Sequence, residues 1–282
     1  MSAGLRMPDF LILGPMKAGT TSLFSWLKRH PQCCMPEVKE ILFFRYDDRW
    51  EKGPEWYGSH FREVPAGCLT GEASNYVDPR FAATAADRIL QSIPNARFVF
   101  IVRDRVDRLR SNYRHEVQTG RERRPLPVAL EDTSVVYIRR SLYWSGVTPF
   151  LERFGESQFC FLDFDGLFRH PHEDWRTLLR FLGLEFVDPP ATVVNASRGK
   201  LGHNRVMRWI WDHELMGHLR SAPGPVKSIG KRYLHRGDRR YKELMESAKS
   251  PLPDAIHRLF DEDDARLSAW ISERPASRAM GA

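Results

Sequence analysis

Apolar positions in this chain come in short, nearly unbroken runs separated by longer stretches with a helical period. FLIL at Phe10–Leu13, ARFVFIV at Ala96–Val102 and QFCFLDF at Gln158–Phe164 are the clearest runs. A strand with one wet face would alternate, so these runs predict strands buried on both faces. Between them the spacing changes. In Thr20–His30, Leu23, Phe24, Trp26 and Leu27 share one helical face, and Pro31 stops the segment. FAATAADRILQSI leads into the second run, and LYWSGVTPFLERFG leads into the third and ends at Gly155. HEDWRTLLRFLGL turns Leu178, Leu179 and Leu182 inward and carries Gly183 as its stop. After Leu184 the chain is Pro-rich, basic and less regular, and two more helices are expected around Tyr241–Lys249 and Asp254–Ile271. Buried strands alternating with helices predict an α/β fold: one domain, 1–282, with a central parallel sheet flanked by helices. In such a sheet ligands bind beyond the carboxyl ends of the strands.

A chain of 282 residues with 42% hydrophobic and 28% charged content can bury a sizeable core. No apolar run approaches the length of a membrane span, and the N-terminal residues lack the pattern of a secretory leader. Cys33, Cys34, Cys68 and Cys160 have no metal-ligand spacing and read as reduced thiols, so a cytoplasmic location without a metal site is expected. The formal net charge of +7 points to an anionic partner. Eight basic residues stand against one acid, Asp238, between Arg220 and Lys242, and a second cluster runs from Arg103 to Arg114. Charge runs of this kind are ordinarily solvated faces. Nucleic-acid binding would need more than charge. The chain shows no zinc spacing, RNA-binding signature or helix-turn-helix pattern.

The segment LGPMKAGTTS joins the first strand to the first helix. Amides in a glycine-containing turn and in a first helical turn make an anion site, to which Thr20, Thr21 and Ser22 add hydroxyls and Lys17 a charge. Gly14 and Gly19 have the separation found in the nucleoside-triphosphatase loop G-x-x-x-x-G-K-[ST], but Thr20 occupies the lysine slot. Taken alone, the loop fits equally a helix capped by threonine with glycines for the turn. An atypical phosphoryl-transfer enzyme and a non-enzymatic basic nucleic-acid-binding protein therefore stand as alternatives to other anion chemistry.

KAGTTSLFSWLKRHP resembles the 5′-phosphosulfate-binding loop of sulfotransferases that use 3′-phosphoadenosine 5′-phosphosulfate (PAPS). The resemblance is closest to the branch holding the heparan sulfate sulfotransferases and their bacterial relatives. It continues in order through EILFF from Glu40, KGPEWYGSHF from Lys52, GEASNYVDP from Gly71, FVFIVRDRVDRLRSNYRHE from Phe98, FLDFDGLFRHPHEDWRTLLRFLGL and SRGK at Ser197. The core carrying it runs over 8–204, leaving 205–282 as a variable, basic and helical part.

The resemblance implies a P-loop-like sulfotransferase fold, PAPS as co-substrate, 3′-phosphoadenosine 5′-phosphate (PAP) as product, and no metal. It implies that Lys17 reaches the bridging oxygen of the leaving 5′-phosphate, which explains its place in the arc of the loop. Ala18, Gly19, Thr20, Thr21 and Ser22 then cradle the 5′-phosphate. Arg103 and Ser111, eight residues apart, are implied at the 3′-phosphate, with fork-like guanidinium contacts and one hydroxyl donor. Arg105, Arg108, Arg110 and Arg114 point several ways on a helix and are expected to be mostly solvated. Glu40 stands where this branch has its catalytic base, with Glu37 as rival and His60 and His115 in reserve. Apolar Ile41, Leu42 and Phe43 suggest a desolvated carboxylate. Leu42 is itself a departure, because some relatives have His or Gln there. Arg198, Gly199 and Lys200 match a loop that closes over the donor, with the two basic positions in reverse order. The expected partners are PAPS and an unidentified acceptor, with no nucleic acid, no membrane span, and room for a homodimer. Heparan sulfate enzymes work behind a membrane anchor, so a soluble enzyme acting on a small molecule, lipid or glycan is expected here.

Overall fold

The computed structural model describes residues 5–62, 64–65, 67–169, 172–190, 239–273 and 278–279. The chain divides into two compact units. One comprises Met1–Arg108, Arg139–Ala196 and Arg258–Ala282, the other Leu109–Ile138 and Ser197–His257.

The first unit is built on a parallel sheet of β1 (Phe10–Gly14), β2 (Cys33–Cys34), β3 (Leu69–Ala73), β4 (Arg97–Val102), β5 (Phe159–Asp163) and β6 (Arg278–Ala279). The spatial order is β2-β3-β1-β4-β5-β6. From β1 the chain passes to β3 on one side and later returns to β4 on the other. The order therefore reverses at β1, and a crevice is expected at the carboxyl ends of β1, β3 and β4.

The unbroken apolar runs have the predicted cause. On β1, Phe10 and Ile12 face one layer of the core while Leu11 and Leu13 face the other. Phe98 and Phe100 of β4 and Phe159 and Phe161 of β5 join Leu11, and Val99, Ile101, Cys160 and Leu162 join Phe10. The helices Thr20–Leu27 and His172–Leu182 cover the Phe10 side. There Trp26 and Trp175 meet edge to face at 5.6 Å, and Leu23, Phe24, Trp26 and Leu27 are all buried. The helices Ala82–Ser92 and Tyr143–Leu151 cover the opposite side. The last helix, Asp254–Ser272, is tied down where Asp263 accepts the Trp144 N–H at 3.1 Å and the Arg105 guanidinium at 2.9 Å.

β3 has no counterpart in the apolar pattern, because its sequence is LTGEA. Gly71 sits opposite Phe10, where a Cβ would come within 2.0 Å of the ring. Glu72 sits opposite Leu11 with its side chain fully buried. The polar residues of this strand are interior.

The second unit holds Leu109–Gln118 of the helix Arg105–Gln118 together with Arg239–Ser247. Tyr113 Oη donates to the Arg124 carbonyl at 2.9 Å and lies 2.9 Å from Ser247 Oγ. Glu122 takes the Tyr137 hydroxyl at 3.0 Å and the Arg124 guanidinium at 2.9 Å. Among the described residues no helix is long and apolar enough to cross a membrane.

Candidate active site

The loop after β1 is bent by three left-handed residues, Gly14 (φ 113°), Lys17 (φ 73°) and Gly19 (φ 87°). Lys17 is not glycine, and a non-glycine residue in this region costs about 1–3 kcal/mol unless its surroundings hold it there. The holding groups are present. Arg103 donates to the Lys17 carbonyl at 2.8 Å, and Arg108 donates to the Met16 carbonyl at 3.1 Å. Gly19 meets two demands at once. It must adopt positive φ, and a Cβ there would fall 2.4 Å from the Phe168 ring.

Gly19 is also the N-cap of the helix Thr20–Leu27. No side chain caps this end, and the first turn contains no acid. Amides at the start of a helix carry partial positive charge and mostly lack intrahelical acceptors, although here the Ser22 N–H is taken by the Gly19 carbonyl at 2.9 Å. This end is suited to an external anion. Ala18, Thr20 and Ser22 are buried, while Lys17, Gly19 and Thr21 are half-buried at the surface of the loop. The Ala18 amide already donates to the Pro15 carbonyl at 3.2 Å.

Arg103 follows β4, as expected, and lies against the loop itself. Its guanidinium packs over the Phe164 ring at 4.5 Å, and Tyr143 Oη binds its carbonyl at 2.8 Å. Ser111 is buried on the helix Arg105–Gln118 and falls in the second unit. The expectation of mostly solvated arginines is corrected for two of the four. Arg105 is buried against Asp263 and Asp264. Arg108 is wholly buried, and burial pulls its pKa down to about 10. Its Nε donates to Ser141 Oγ at 2.9 Å. These contacts lie far apart in sequence, so helical periodicity alone cannot reveal them.

Glu40 is brought to the neighbouring strand end. Its own N–H donates to the Ala73 carbonyl at 3.0 Å, and its Oε2 accepts the Asn75 N–H at 3.0 Å. Asn75 also links the two loops, since a Cβ on Gly14 would lie 3.0 Å from Asn75 Oδ1. The carboxylate is less desolvated than its apolar neighbours suggest, being 35% exposed and paired with Lys39 Nζ at 2.7 Å. Like Lys17, it stands at positive φ (63°), and so does Leu42 (58°). These are the three non-glycine residues with positive φ among the described residues. All three lie in the two loops singled out from the sequence. Glu37 is exposed and bound to Lys28 at 2.7 Å. His60 Nδ1 lies 3.1 Å from the carbonyls of Trp56 and Tyr57 in its own helical turn, a structural role. His115 falls in the second unit. Arg198, Gly199 and Lys200 lie outside the described residues, as does most of Arg220–Lys242.

Sequence reasoning assigned no role within GEASNYVDP, yet two charged groups there organise the rim. Asp78 is buried and receives Arg45 at 3.0 Å, Arg80 at 2.9 Å and Arg140 at 3.0 Å. Burial alone would raise its pKa. The Arg80, Arg140 and Arg45 contacts outweigh that and hold the carboxyl well below the usual range. Glu72 is the second group. The sequence offers no local signal for it, because an acid in a strand interior reads first as evidence against a strand.

Residues 7–199 match the family model described as "Sulfotransferase domain". The chain is similar to the "Membrane-associated sulfotransferase kil1" of Dictyostelium discoideum, with 33% identity over 40% of this chain and 24% of that protein. It is also similar to the "Bifunctional heparan sulfate N-deacetylase/N-sulfotransferase 1" of Caenorhabditis elegans, with 26% identity over 97% of this chain and 32% of that one. The chain thus spans between about a quarter and a third of these curated relatives. Among solved structures, a sulfotransferase from Alicyclobacillus acidocaldarius superposes with a TM-score of 0.59 at 25% identity, covering 81% of this chain and 98% of that one.

Proposed function

Because the chain belongs to the sulfotransferase domain family, we propose that it moves a sulfuryl group from PAPS to a small-molecule, lipid or glycan acceptor. Membership selects sulfuryl transfer over the phosphoryl-transfer and nucleic-acid alternatives. The observation that supports the roles of individual residues is the paired backbone strain. Lys17 and Glu40, an acid-base pair in the chemical sense, stand at positive φ at the ends of adjacent strands and are held there by separate hydrogen bonds.

In this reading the acceptor's oxygen or nitrogen attacks sulfur, the bond from sulfur to the 5′-phosphate breaks, and Glu40 takes the acceptor's proton. Lys17 is assigned to the charge that grows on the departing phosphate oxygen, a stabilisation of the oxyanion-hole type that needs no metal. The loop fits an anionic donor on this chain's own features: an uncapped helix start, no acid in its first turn, and Arg103 against the Lys17 carbonyl. Gly19, Thr20, Thr21 and Ser22 are assigned to the 5′-phosphate together with Ala18. Arg103 and Ser111 are assigned to the 3′-phosphate on the family resemblance, and Arg198, Gly199 and Lys200 to closure over the donor on the same ground. All four cysteines are free thiols, which accords with the cytoplasmic location included in the proposal.

Calorimetry without metal tests this reading, with PAP titrated against ATP. Tight binding of PAP with weak or no binding of ATP is expected. A preference for ATP contradicts it.

A further inference from the structure

Glu72 does not belong to the loop or to the proposed base, yet its hydrogen bonds lead through Ser74 to Leu42, the strained residue two positions after that base. Its side chain is fully buried on β3. Oε2 accepts the Tyr57 hydroxyl at 2.6 Å, both oxygens accept the Tyr76 hydroxyl at 3.1 Å, and Oε1 accepts the Ser74 hydroxyl. An ionised carboxylate only accepts, so three hydroxyl protons are directed at it. This fixes the role of Ser74. With its one proton committed to Glu72, its oxygen faces the Leu42 N–H as an acceptor at 3.1 Å. Leu42 (φ 58°) and Glu40 (φ 63°) flank Ile41, and neither conformation persists without external support. Ala73 and Asn75 supply the rest of that support, through the Glu40 N–H and the Glu40 carboxylate.

We propose that Glu72 is a positioning residue for this site, setting the proton of Ser74 so that the Glu40–Leu42 segment is locked in the conformation that presents the Glu40 carboxylate. The proposal rests on the reading of Glu40 as the base. It also carries a pH signature. Burial pushes the Glu72 pKa up to about 6, with the nearby Glu40 charge acting in the same direction and the Ser74, Tyr57 and Tyr76 hydroxyls opposing. The groups facing Glu72 are Tyr57 from the helix Gly53–Gly58, Ser74 and Tyr76 from the segment after β3, and Glu40 with its partner Lys39. Once protonated, the carboxyl brings a donor of its own, and one of the three hydroxyls must turn away.

The test is residue-resolved amide hydrogen exchange on the full chain, with Ser74→Ala and Glu72→Gln beside the unsubstituted protein. Removing one hydrogen bond of ordinary strength is expected to speed Leu42 exchange by about five- to tenfold in both variants. Amides of the helix Thr20–Leu27 and the affinity for PAP are expected to stay unchanged. In the unsubstituted protein, Leu42 exchange corrected for its intrinsic rate is expected to quicken as pH falls through about 6, and Glu72→Gln is expected to abolish that step. Leu42 exchange equal to that of the unsubstituted protein in Ser74→Ala, or a pH step that survives Glu72→Gln, overturns the inference. Should Glu72→Gln not fold, Ser74→Ala, which removes only a hydroxyl, tests the Ser74 bond, and absence of the pH step near 6 in the unsubstituted protein overturns the role of Glu72. If PAP fails to bind the unsubstituted protein, the sulfuryl-transfer reading falls, while the exchange data still judge the locking.

Discussion

The loops at the ends of β1 and β3 solve the same mechanical problem with opposite charges. Each holds a side chain assigned a role in the proposed reaction on a strained, left-handed backbone. After β1 the strained residue is held through carbonyl groups by guanidinium donors, Arg103 on Lys17 and Arg108 on Met16. Near the end of β3 the strained residues are held through their amides, by the Ala73 carbonyl and the Ser74 hydroxyl, with the Glu72 carboxylate behind. The first arrangement puts guanidinium groups and an uncapped helix start at its loop, which in the proposed reaction is the setting for a leaving anion. The second holds its backbone amides with acceptors, while the Asn75 N–H and the Lys39 ammonium bind the Glu40 carboxylate, the group that receives the proton in the proposed reaction. In the proposed reaction the labour of transfer is divided between a cation, Lys17, and a carboxylate, Glu40, at adjacent strand ends.

That division is broken most severely at the two side chains themselves. Lys17→Ala is expected to lower turnover by about 10²–10³-fold, the scale of losing one transition-state donor, with PAP affinity changed much less. Glu40→Gln is expected to lower turnover by about 10²–10⁴-fold, the scale of a general base, and to leave PAP affinity intact. Rapid-quench kinetics beside calorimetry separates the two effects. Equal losses in rate and affinity for Lys17→Ala would remove the distinction between the loops.

Arg103→Ala comes next. A charged hydrogen bond is worth about 1.5–3 kcal/mol, so PAP binding is expected to weaken by roughly 10- to 100-fold, measured by the same titration. Gly19→Ala strains the cationic loop alone. It is expected to cost about 1–3 kcal/mol of stability from positive φ, read as a lowered Tm, before any contact with Phe168 is counted.

The smallest effect concerns pH. The arginines keep Asp78 ionised below the ordinary carboxyl value of 3.8. Its contribution is therefore complete above that value and is lost as pH falls through the lower, folded-state pKa. The stability gap between the unsubstituted protein and Asp78→Asn is expected to be constant from pH 7 to about 5 and to narrow in stronger acid. Denaturant titrations at each pH check this. A gap that widens in acid would mean that the arginines do not stabilise the anion.

The same comparison shows what was legible in the sequence. The β1 loop could be read because its parts are contiguous: an apolar run, Gly14, Lys17, Gly19 and an amphipathic helix in one stretch. Strands β4 and β5 were equally plain from ARFVFIV and QFCFLDF. β3 was hidden because its burial is supported from elsewhere. Glu72 is tolerated inside by hydroxyls of Tyr57 and Tyr76, and Gly71 makes room for Phe10, contacts that no local pattern encodes. Arg105 looked solvated for the same reason, since its acids, Asp263 and Asp264, stand more than 150 positions along the chain. Local chemistry marks Lys17 as a charge on an anion loop, and the family resemblance marks Glu40. Tertiary contacts show how each is held.

The most direct measurement is a crystal structure of the full chain with PAP bound. The account predicts the 5′-phosphate against the start of the helix Thr20–Leu27, with the Lys17 ammonium on a phosphate oxygen and the Glu40 carboxylate facing the same cleft without touching the nucleotide. A nucleotide bound away from this loop, or one whose phosphate is held while Lys17 points elsewhere, would contradict it.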